Sequence, residues 1–252
     1  MRLFVSLSYN GGRFCGWQSQ PDAPSVQEEL ERALSIVFSE KISVTGAGRT
    51  DTGVNASLYY AHFDLTADTV AGADKICCKL NAILPPEICV FNLFSVMPDA
   101  HARFDAVSRT YRYYVHTAKD PFAVRSLHFK YGLDIAAMNR AAECLMGEHD
   151  FSSFEKVGGS SATSLCTVTE AFWKPLDDTH FVFTITANRF LRNMVRAIVG
   201  TLLEVGGGKR PPQWVAEVLS KRDRASAGQS VAGEALFLSD VKYPYKLEAI
   251  KD

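Results

Sequence analysis

The chain has 252 residues, of which 47% are hydrophobic and 22% are charged, a composition typical of globular proteins. This length allows one large domain or two of roughly 100–150 residues, and it excludes a miniature fold that depends on disulfides or a metal for its core. The net charge of −1 argues against a protein that coats nucleic acid non-specifically, although the arginines are clustered along the chain and leave room for a local basic groove.

The sequence shows none of the patterns of exported, membrane or metal-binding proteins. The N-terminus runs straight into a strand-like pattern, without the apolar stretch of a signal peptide. No apolar run approaches the roughly 20 residues of a membrane span. The six cysteines include no C-x-x-C pair, and the six histidines include no H-x-x-x-H pair. We therefore expect a soluble, cytoplasmic protein that uses no metal and no other cofactor.

The first half of the chain has the predicted element order β-α-β-β-α-β. Apolar residues alternate with polar ones from Leu3 to Tyr9, which predicts a strand. Ser25-Val26-Gln27-Glu28 is a capping box that begins a helix. The remaining elements of this half are predicted at Ile42–Thr45, Leu58–Phe63, Ile76–Ile83 and Ile88–Phe94.

The second half repeats this order of elements, although not the sequence. A strand at Thr110–His116 precedes a helix capped by Asp134. The later elements are a hairpin (Cys166–Trp173 and Phe181–Ala187), a long helix from about Asn188 to Val205, a short helix that starts at Pro211-Pro212, and a strand at Ala235–Val241. The simplest architecture is an α+β fold of two ferredoxin-like units, 1–105 and 106–252. Their antiparallel sheets would join edge to edge into one extended sheet with helices on one face.

The segment Gly46–Ala56 is the most informative part of the sequence. Its three glycines within eight residues allow a sharp turn and a close approach to a ligand, and they flank Arg49 and Asp51. In an arbitrary loop such a pair is more often solvated than functional. A phosphate-binding loop is excluded because no Gly-Lys-Ser/Thr follows. Asp51-Thr52-Gly53 also matches the tripeptide of aspartic proteases, which need two such carboxylates and hence a symmetric dimer of this chain.

Gly48-Arg49-Thr50-Asp51, followed by Gly53-Val54, resembles the signature of the tRNA pseudouridine synthase A family. The resemblance continues in order along nearly the whole chain. Further matching segments are Gly16-Trp17-Gln18, Asn81 with Leu84-Pro85, His101-Ala102-Arg103-Phe104, Ser108–Tyr113, Asp150–Phe154 and Phe190–Gly200. Two positions depart from the family pattern, because Thr52 and Asn55 stand where the family usually has Ala and His. Asn55 does not titrate, so no acid–base role is expected of it.

The resemblance implies an isomerase that converts uridine to pseudouridine in the anticodon stem-loop of tRNA, at positions 38, 39 and 40, and that works as a homodimer. It implies that Asp51 is the catalytic nucleophile, that Tyr111 contacts the substrate base and that Arg196 is the active-site arginine. The reaction breaks and remakes a bond to the same sugar without oxidation, so it needs neither a metal nor a nucleotide cofactor. Whether Asp51 attacks the sugar, attacks the base or removes a sugar proton stays open.

Three arginines near the predicted long helix have different expected roles. Arg189, Arg192 and Arg196 follow each other at spacings of three and four, so on a helix they share one side. An arginine beside a carboxylate favours its ionised form, which is the expected role of Arg196 toward Asp51. We expect Arg189 and Arg192 to contact tRNA phosphates, and Arg49 to contact the nucleic acid as well.

Aromatic residues in the strand at Thr110–His116 suit contact with a base. Tyr111 and Tyr113 share one face of this strand and Tyr114 takes the other, so one face can be open to RNA. A ring there can stack on a flipped uracil and offset part of the free energy needed to unstack it.

A non-catalytic RNA-binding module is the alternative, because paired ferredoxin-like sheets with aromatic strands also bind single-stranded RNA. The loop with Arg49 and Asp51 favours the enzyme, since a carboxylate would only repel phosphates in a binding groove.

Overall fold

The computed structural model describes residues 1–156, 158 and 163–250. The chain divides into two compact units, Met1–Val107 with Leu238–Asp252, and Ser108–Phe237. The domain boundaries expected from the sequence, 1–105 and 106–252, stay a prediction, because compactness alone does not define an independently folding domain. Within the described ranges, no helix is long and apolar enough to cross a membrane.

The first unit is an antiparallel sheet with two helices. Its elements in chain order are β1 (Arg2–Tyr9), α1 (Val26–Phe38), β2 (Thr45–Gly46), β3 (Asn55–Asp64), α2 (Ala73–Ile83) and β4 (Ile88–Ser95). The strands are ordered β4-β1-β3-β2, and each neighbouring pair is antiparallel. The strand expected at Ile42–Thr45 is reduced to the two residues of β2. The capping box is confirmed, since the Ser25 side chain accepts a hydrogen bond from Glu28 N at 3.2 Å.

Both faces of the β1–β3 pair are covered. Neighbouring residues of a strand point to opposite faces. Phe63 of β3 contacts Phe38 of α1 with the ring centroids 5.9 Å apart, which marks the helix-covered face. On the other face, Phe4 of β1 packs with Ala100 and Ala102, which follow β4 in the chain. The segment after β4 therefore lies on the face of the sheet opposite to α1.

The second unit is also an antiparallel sheet with helices. Its elements are β5 (Ser108–His116), β6 (Leu127–His128), α3 (Ile135–Glu143), β7 (Gly147–Asp150), β8 (Leu165–Pro175), β9 (His180–Ala187), α4 (Met194–Gly206) and α5 (Trp214–Lys221). The order is β5-β9-β8-β7, with β6 parallel to β5. The predicted Asp134 cap is confirmed, since its side chain accepts from Ala137 N at 2.8 Å. The short strands β10 (Leu236–Lys242) and β11 (Glu248–Ala249) end the chain.

The predicted start of the long helix at Asn188 is wrong, because α4 begins at Met194. Asn188 continues the strand pairing, with its N–H donating to Thr167 O at 3.1 Å and its Oδ1 accepting from Thr167 N at 2.9 Å. Asn193 then adopts a left-handed conformation with φ of 66°. Arg189 and Arg192 therefore precede the helix, and the argument that they share one helical side with Arg196 fails.

The two units together make a mixed α+β fold with antiparallel strands, as the sequence predicts. That their sheets join edge to edge stays a prediction.

Candidate active site

The loop between β2 and β3 holds Arg49 and Asp51, and buried side chains anchor it from beneath. The hydroxyl of Tyr59 donates to Gly48 O and accepts from Gly48 N at 3.3 Å. Thr50 Oγ1 shares a buried hydrogen bond of 2.9 Å with the Tyr9 hydroxyl. Both tyrosines belong to strands of the first unit, so the sheet fixes the position of this loop.

Backbone contacts with an earlier segment hold the same loop from the side. Trp17 N donates to Thr50 O at 3.3 Å, and Gly53 N donates to Phe14 O at 3.4 Å. Gly16 has a φ of 101°, and a Cβ there would run into the carbonyl of Thr50. Only glycine allows this approach without strain. The match of Gly16-Trp17 to the family pattern thus has a structural reason, since these residues brace the loop of Asp51.

Asn55 also braces the loop. Its side chain is 1% exposed, and its Oδ1 accepts a hydrogen bond from Gly11 N at 3.0 Å. A buried backbone N–H without such an acceptor would be destabilising by about 1–3 kcal/mol. Asn55 therefore ties the end of the loop to the segment after β1.

The loop presents its two charged groups differently. Arg49 is exposed, Asp51 is half-buried and Thr52 is exposed. Gly53, with a φ of 77°, turns the chain back, and Val54 N donates to Asp51 O at 3.1 Å. Asp51 thus sits in a tight turn whose backbone is fixed on both sides, and Arg49 lies two residues away in the same loop.

Tyr111 and Tyr113 lie on β5 in the second unit, but only Tyr111 is accessible. Tyr111 is half-buried and meets the edge of Phe190, with centroids 5.0 Å apart and planes at 84°. Tyr113 is 0% exposed and donates to Ala232 O at 3.0 Å. Burial raises the pKa of the Tyr113 hydroxyl, which keeps it protonated as a donor. Tyr113 is therefore part of the core, although it shares a strand face with Tyr111.

Arg196 lies in the first turn of α4, and one backbone segment orients it. Its Nε donates to Val231 O at 2.7 Å, and Val231 N donates to Arg196 O at 3.2 Å. Tyr113 donates to the next carbonyl, that of Ala232. Arg196 and the strand that carries Tyr111 are thus brought together by a single stretch of chain.

The sequence motifs described above assign no role to the residues that hold this stretch. Arg224 donates to Gly228 O at 3.1 Å and to Ser230 Oγ at 2.9 Å. Asn193 Nδ2 donates to the same Ser230 Oγ at 2.6 Å, and Gly228 N donates to Thr201 Oγ1 at 3.0 Å. Arg224 is thus an internal support of this stretch, a role that no local sequence pattern indicates.

The remaining basic residues differ in how much charge they present. Arg192, Lys209 and Lys221 are exposed, whereas Arg189 is half-buried. Arg222 is exposed but forms an ion pair with Asp150, with Nε 3.3 Å from the carboxylate. Among the residues that the structure describes, no group of three or more His, Cys, Asp or Glu side chains is placed to hold a metal ion.

Comparison with known proteins defines first the class and then the family. Residues 141–244 match the model of a protein family described as tRNA pseudouridine synthase. A tRNA pseudouridine synthase A from Bacteroides thetaiotaomicron is 51% identical over 248 residues, covering 96% of this chain and 91% of the relative. The tRNA pseudouridine synthase A proteins of Porphyromonas gingivalis and Parabacteroides distasonis are each 48% identical, covering 98% and 100% of this chain and 98% and 99% of the relatives.

The chain belongs to the tRNA pseudouridine synthase A family. It is therefore an isomerase, and the two alternatives left by the sequence, a non-catalytic RNA-binding module and an aspartic protease, are set aside.

Proposed function

We propose that this tRNA pseudouridine synthase isomerises the uridines at positions 38, 39 and 40 in the anticodon stem-loop of tRNA, with Asp51 as its nucleophile. The observation that carries the proposal is the loop between β2 and β3, which presents one carboxylate and one arginine from a backbone held by Tyr9, Tyr59 and Trp17. The reaction breaks the glycosidic bond, turns the uracil and rejoins it through carbon. One ionised carboxylate at the sugar and base serves this sequence of steps.

The other residues have supporting roles in this proposal. Tyr111 contacts the flipped base, and its edge contact with Phe190 restricts the ring to one orientation. Arg196 is the active-site arginine of this proposal, and its direction is set by Val231. Arg49, Arg189 and Arg192 contact the tRNA backbone, and the exposure of Arg49 and Arg192 supports that role.

The proposal extends to the architecture and the assembly. Each unit is ferredoxin-like; in the first, the order β4-β1-β3-β2 with antiparallel neighbours and helices after β1 and β3 supports this topology. The protein works in the cytoplasm as a homodimer. A dimer doubles the basic surface offered to a long, densely charged tRNA.

The test is to map pseudouridine in unmodified tRNA transcripts after incubation with the purified protein. Transcripts with a single uridine at position 38, 39 or 40 should each be modified there, and a transcript with cytidine at all three should not. Modification confined to another arm of the tRNA would refute the assigned positions, and no modification of any transcript would refute the proposed function.

A further inference from the structure

The segment after β4 contains a motif to which the proposed function assigns no role, His101-Ala102-Arg103-Phe104. The Phe104 side chain is 74% exposed. Single exposed apolar residues are common on protein surfaces, so the exposure alone says little. The informative feature is how firmly the backbone beneath this ring is held.

His101 closes the turn that carries Phe104. Its Nδ1 accepts hydrogen bonds from Arg103 N at 3.1 Å and from Phe104 N at 3.2 Å. Its own N–H donates to Asp105 Oδ2 at 2.7 Å, and Asp105 N donates to His101 O at 3.1 Å. Four hydrogen bonds within five residues leave this turn a single conformation.

The turn is also fastened to the sheet of the first unit. Ala102 is 0% exposed; its N–H donates to His62 Nδ1 at 3.1 Å and its carbonyl accepts from the Tyr243 hydroxyl at 2.7 Å. The Tyr245 hydroxyl donates to Asp105 Oδ2 at 2.8 Å. The attachment lies on the face opposite to α1, so the turn that carries Phe104 lies on that side of the sheet.

Two neighbours contact the ring of Phe104, which nevertheless stays largely exposed. The His101 ring lies 4.3 Å away, centroid to centroid, with the planes tilted by 33°. The guanidinium of Arg103 lies over the ring, 5.6 Å from its centroid. Proteins stack unpaired bases of RNA on exposed aromatic rings that lie close to an arginine. Both the ring and the guanidinium interact favourably with the π-face of a base.

We propose that Phe104, with Arg103 beside it, is a stacking platform for an unpaired base of the tRNA other than the target uridine. This rests on the proposed function, which supplies tRNA as the substrate. A neutral base tolerates the carboxylates of Asp99 and Asp105 near this turn, whereas a phosphate would be repelled by them.

The experiment compares substitutions that separate stacking from simple apolar contact. Phe104→Ala removes the ring, Phe104→Leu keeps apolar bulk without a π-face, and Phe104→Trp enlarges the π-face. Phe122→Ala is the matched control, because Phe122 is 89% exposed and lies in the other unit. The dissociation constant for an unmodified tRNA transcript, the pseudouridine formation rate, the melting temperature and the sedimentation coefficient are measured for each.

Stacking predicts a dissociation constant raised about 5- to 150-fold by Phe104→Ala, the range found when such rings are truncated. Phe104→Leu should match Phe104→Ala, and Phe104→Trp and Phe122→Ala should match wild type, with melting temperatures unchanged. Full affinity of Phe104→Ala or of Phe104→Leu would overturn the platform, and so would a dimer that dissociates on Phe104→Ala. Pseudouridine formation by wild-type protein in the same assay tests the proposed function separately.

Discussion

Asp51 is placed by the backbone around it, and this determines how a substitution there should behave. Thr50 before it is tied to Tyr9 and Trp17, and Gly53 after it is tied to Phe14. None of these hydrogen bonds depends on the charge of the carboxylate. A change of charge at Asp51 should therefore leave these hydrogen bonds in place.

We accordingly predict that Asp51→Asn abolishes pseudouridine formation while tRNA binding persists. The amide keeps the size of the side chain but removes the charge that the proposed nucleophile needs. Binding should be equal or slightly tighter, since a negative group near the phosphates is lost. The measurements are a single-turnover assay and a filter-binding titration. Substantial pseudouridine formation by this variant would contradict the role assigned to Asp51.

His62 gives the first unit a dependence on pH. Burial lowers the pKa of the His62 imidazole from 6.5 to about 4, with Arg2 adding to the effect. The folded protein therefore keeps this ring neutral down to about pH 4, whereas the unfolded chain binds a proton below about pH 6.5. The neutral His62 ring therefore does not lower the free energy of unfolding above pH 6.5, and the free energy of unfolding falls as the pH is lowered from 6.5 to 4.

We predict that His62→Asn removes part of this acid sensitivity. The asparagine oxygen offers Ala102 N an acceptor in place of Nδ1 but binds no proton. Between pH 6.5 and 4, the free energy of unfolding from urea titrations should fall less steeply for the variant, by a total on the order of 2–3 kcal/mol. Parallel pH profiles for the two proteins would show that another group is responsible.

At the scale of the element, α4 and the segment from Arg224 to Ala232 act together. The segment crosses the start of the helix and is held by Arg224 and by Asn193 through the same hydroxyl, that of Ser230. Val231 follows Ser230; its carbonyl accepts a hydrogen bond from Arg196 Nε, and its N–H donates one to Arg196 O. Substitution of Arg224 should therefore change the orientation of the Arg196 side chain.

This connection predicts that Arg224→Met lowers turnover more than it lowers affinity for tRNA. Two hydrogen bonds from a cation are lost, which should reduce the free energy of unfolding by about 1.5–3 kcal/mol and release the segment that directs Arg196. Lys221→Met is the control: it removes an exposed cation near Arg224 and should weaken binding while flattening its salt dependence by about one phosphate contact. If both variants change only affinity and salt dependence, Arg224 is a phosphate contact after all.

Substitutions of Arg196 and of Arg192 should likewise have different effects on turnover and binding. Arg196→Leu should stop turnover, because Asp51 loses its proposed cationic partner. Arg192→Gln should chiefly weaken binding, since Arg192 is exposed and precedes the helix. Turnover and the salt dependence of the dissociation constant distinguish the two, and similar profiles for both variants would remove the special role of Arg196.

At the scale of the whole molecule, the question is whether one tRNA contacts both subunits of the proposed homodimer. A chain with a net charge of −1 offers no net electrostatic attraction for a long polyanion. Arg222 is paired with Asp150 and Arg224 is used internally, so the exposed Lys209 and Lys221 are the better positions at which to test the basic surface.

We predict complementation between two inactive variants. One subunit carries Asp51→Asn and the other carries Lys209→Glu with Lys221→Glu. In a heterodimer, the basic surface of the first subunit can hold the tRNA while Asp51 of the second performs the reaction. Mixing and refolding should restore pseudouridine formation. Verified heterodimers without activity would exclude a tRNA that spans both subunits, and an active monomer would exclude the dimer itself.

The sequence by itself determined what depends on residues close together in the chain. The caps at Ser25 and Asp134 are encoded within four residues, because the side chain and its N–H partner lie one helical turn apart. The family could likewise be predicted from short motifs, of which the one around Asp51 is the clearest. Such features need no knowledge of the distant contacts.

Only the tertiary structure decided what depends on partners far apart in the chain. Asn188 pairs with Thr167 and so delays α4, although the local pattern favours a helix there. Tyr113 is buried and donates a hydrogen bond to the distant Ala232, so strand alternation alone could not show which tyrosine stays accessible. For the same reason, the positive charge of Arg224 does not by itself show that it supports the segment that holds Arg196. A guanidinium near the surface binds phosphate or supports a loop according to which oxygen atoms the fold brings within about 3 Å of it.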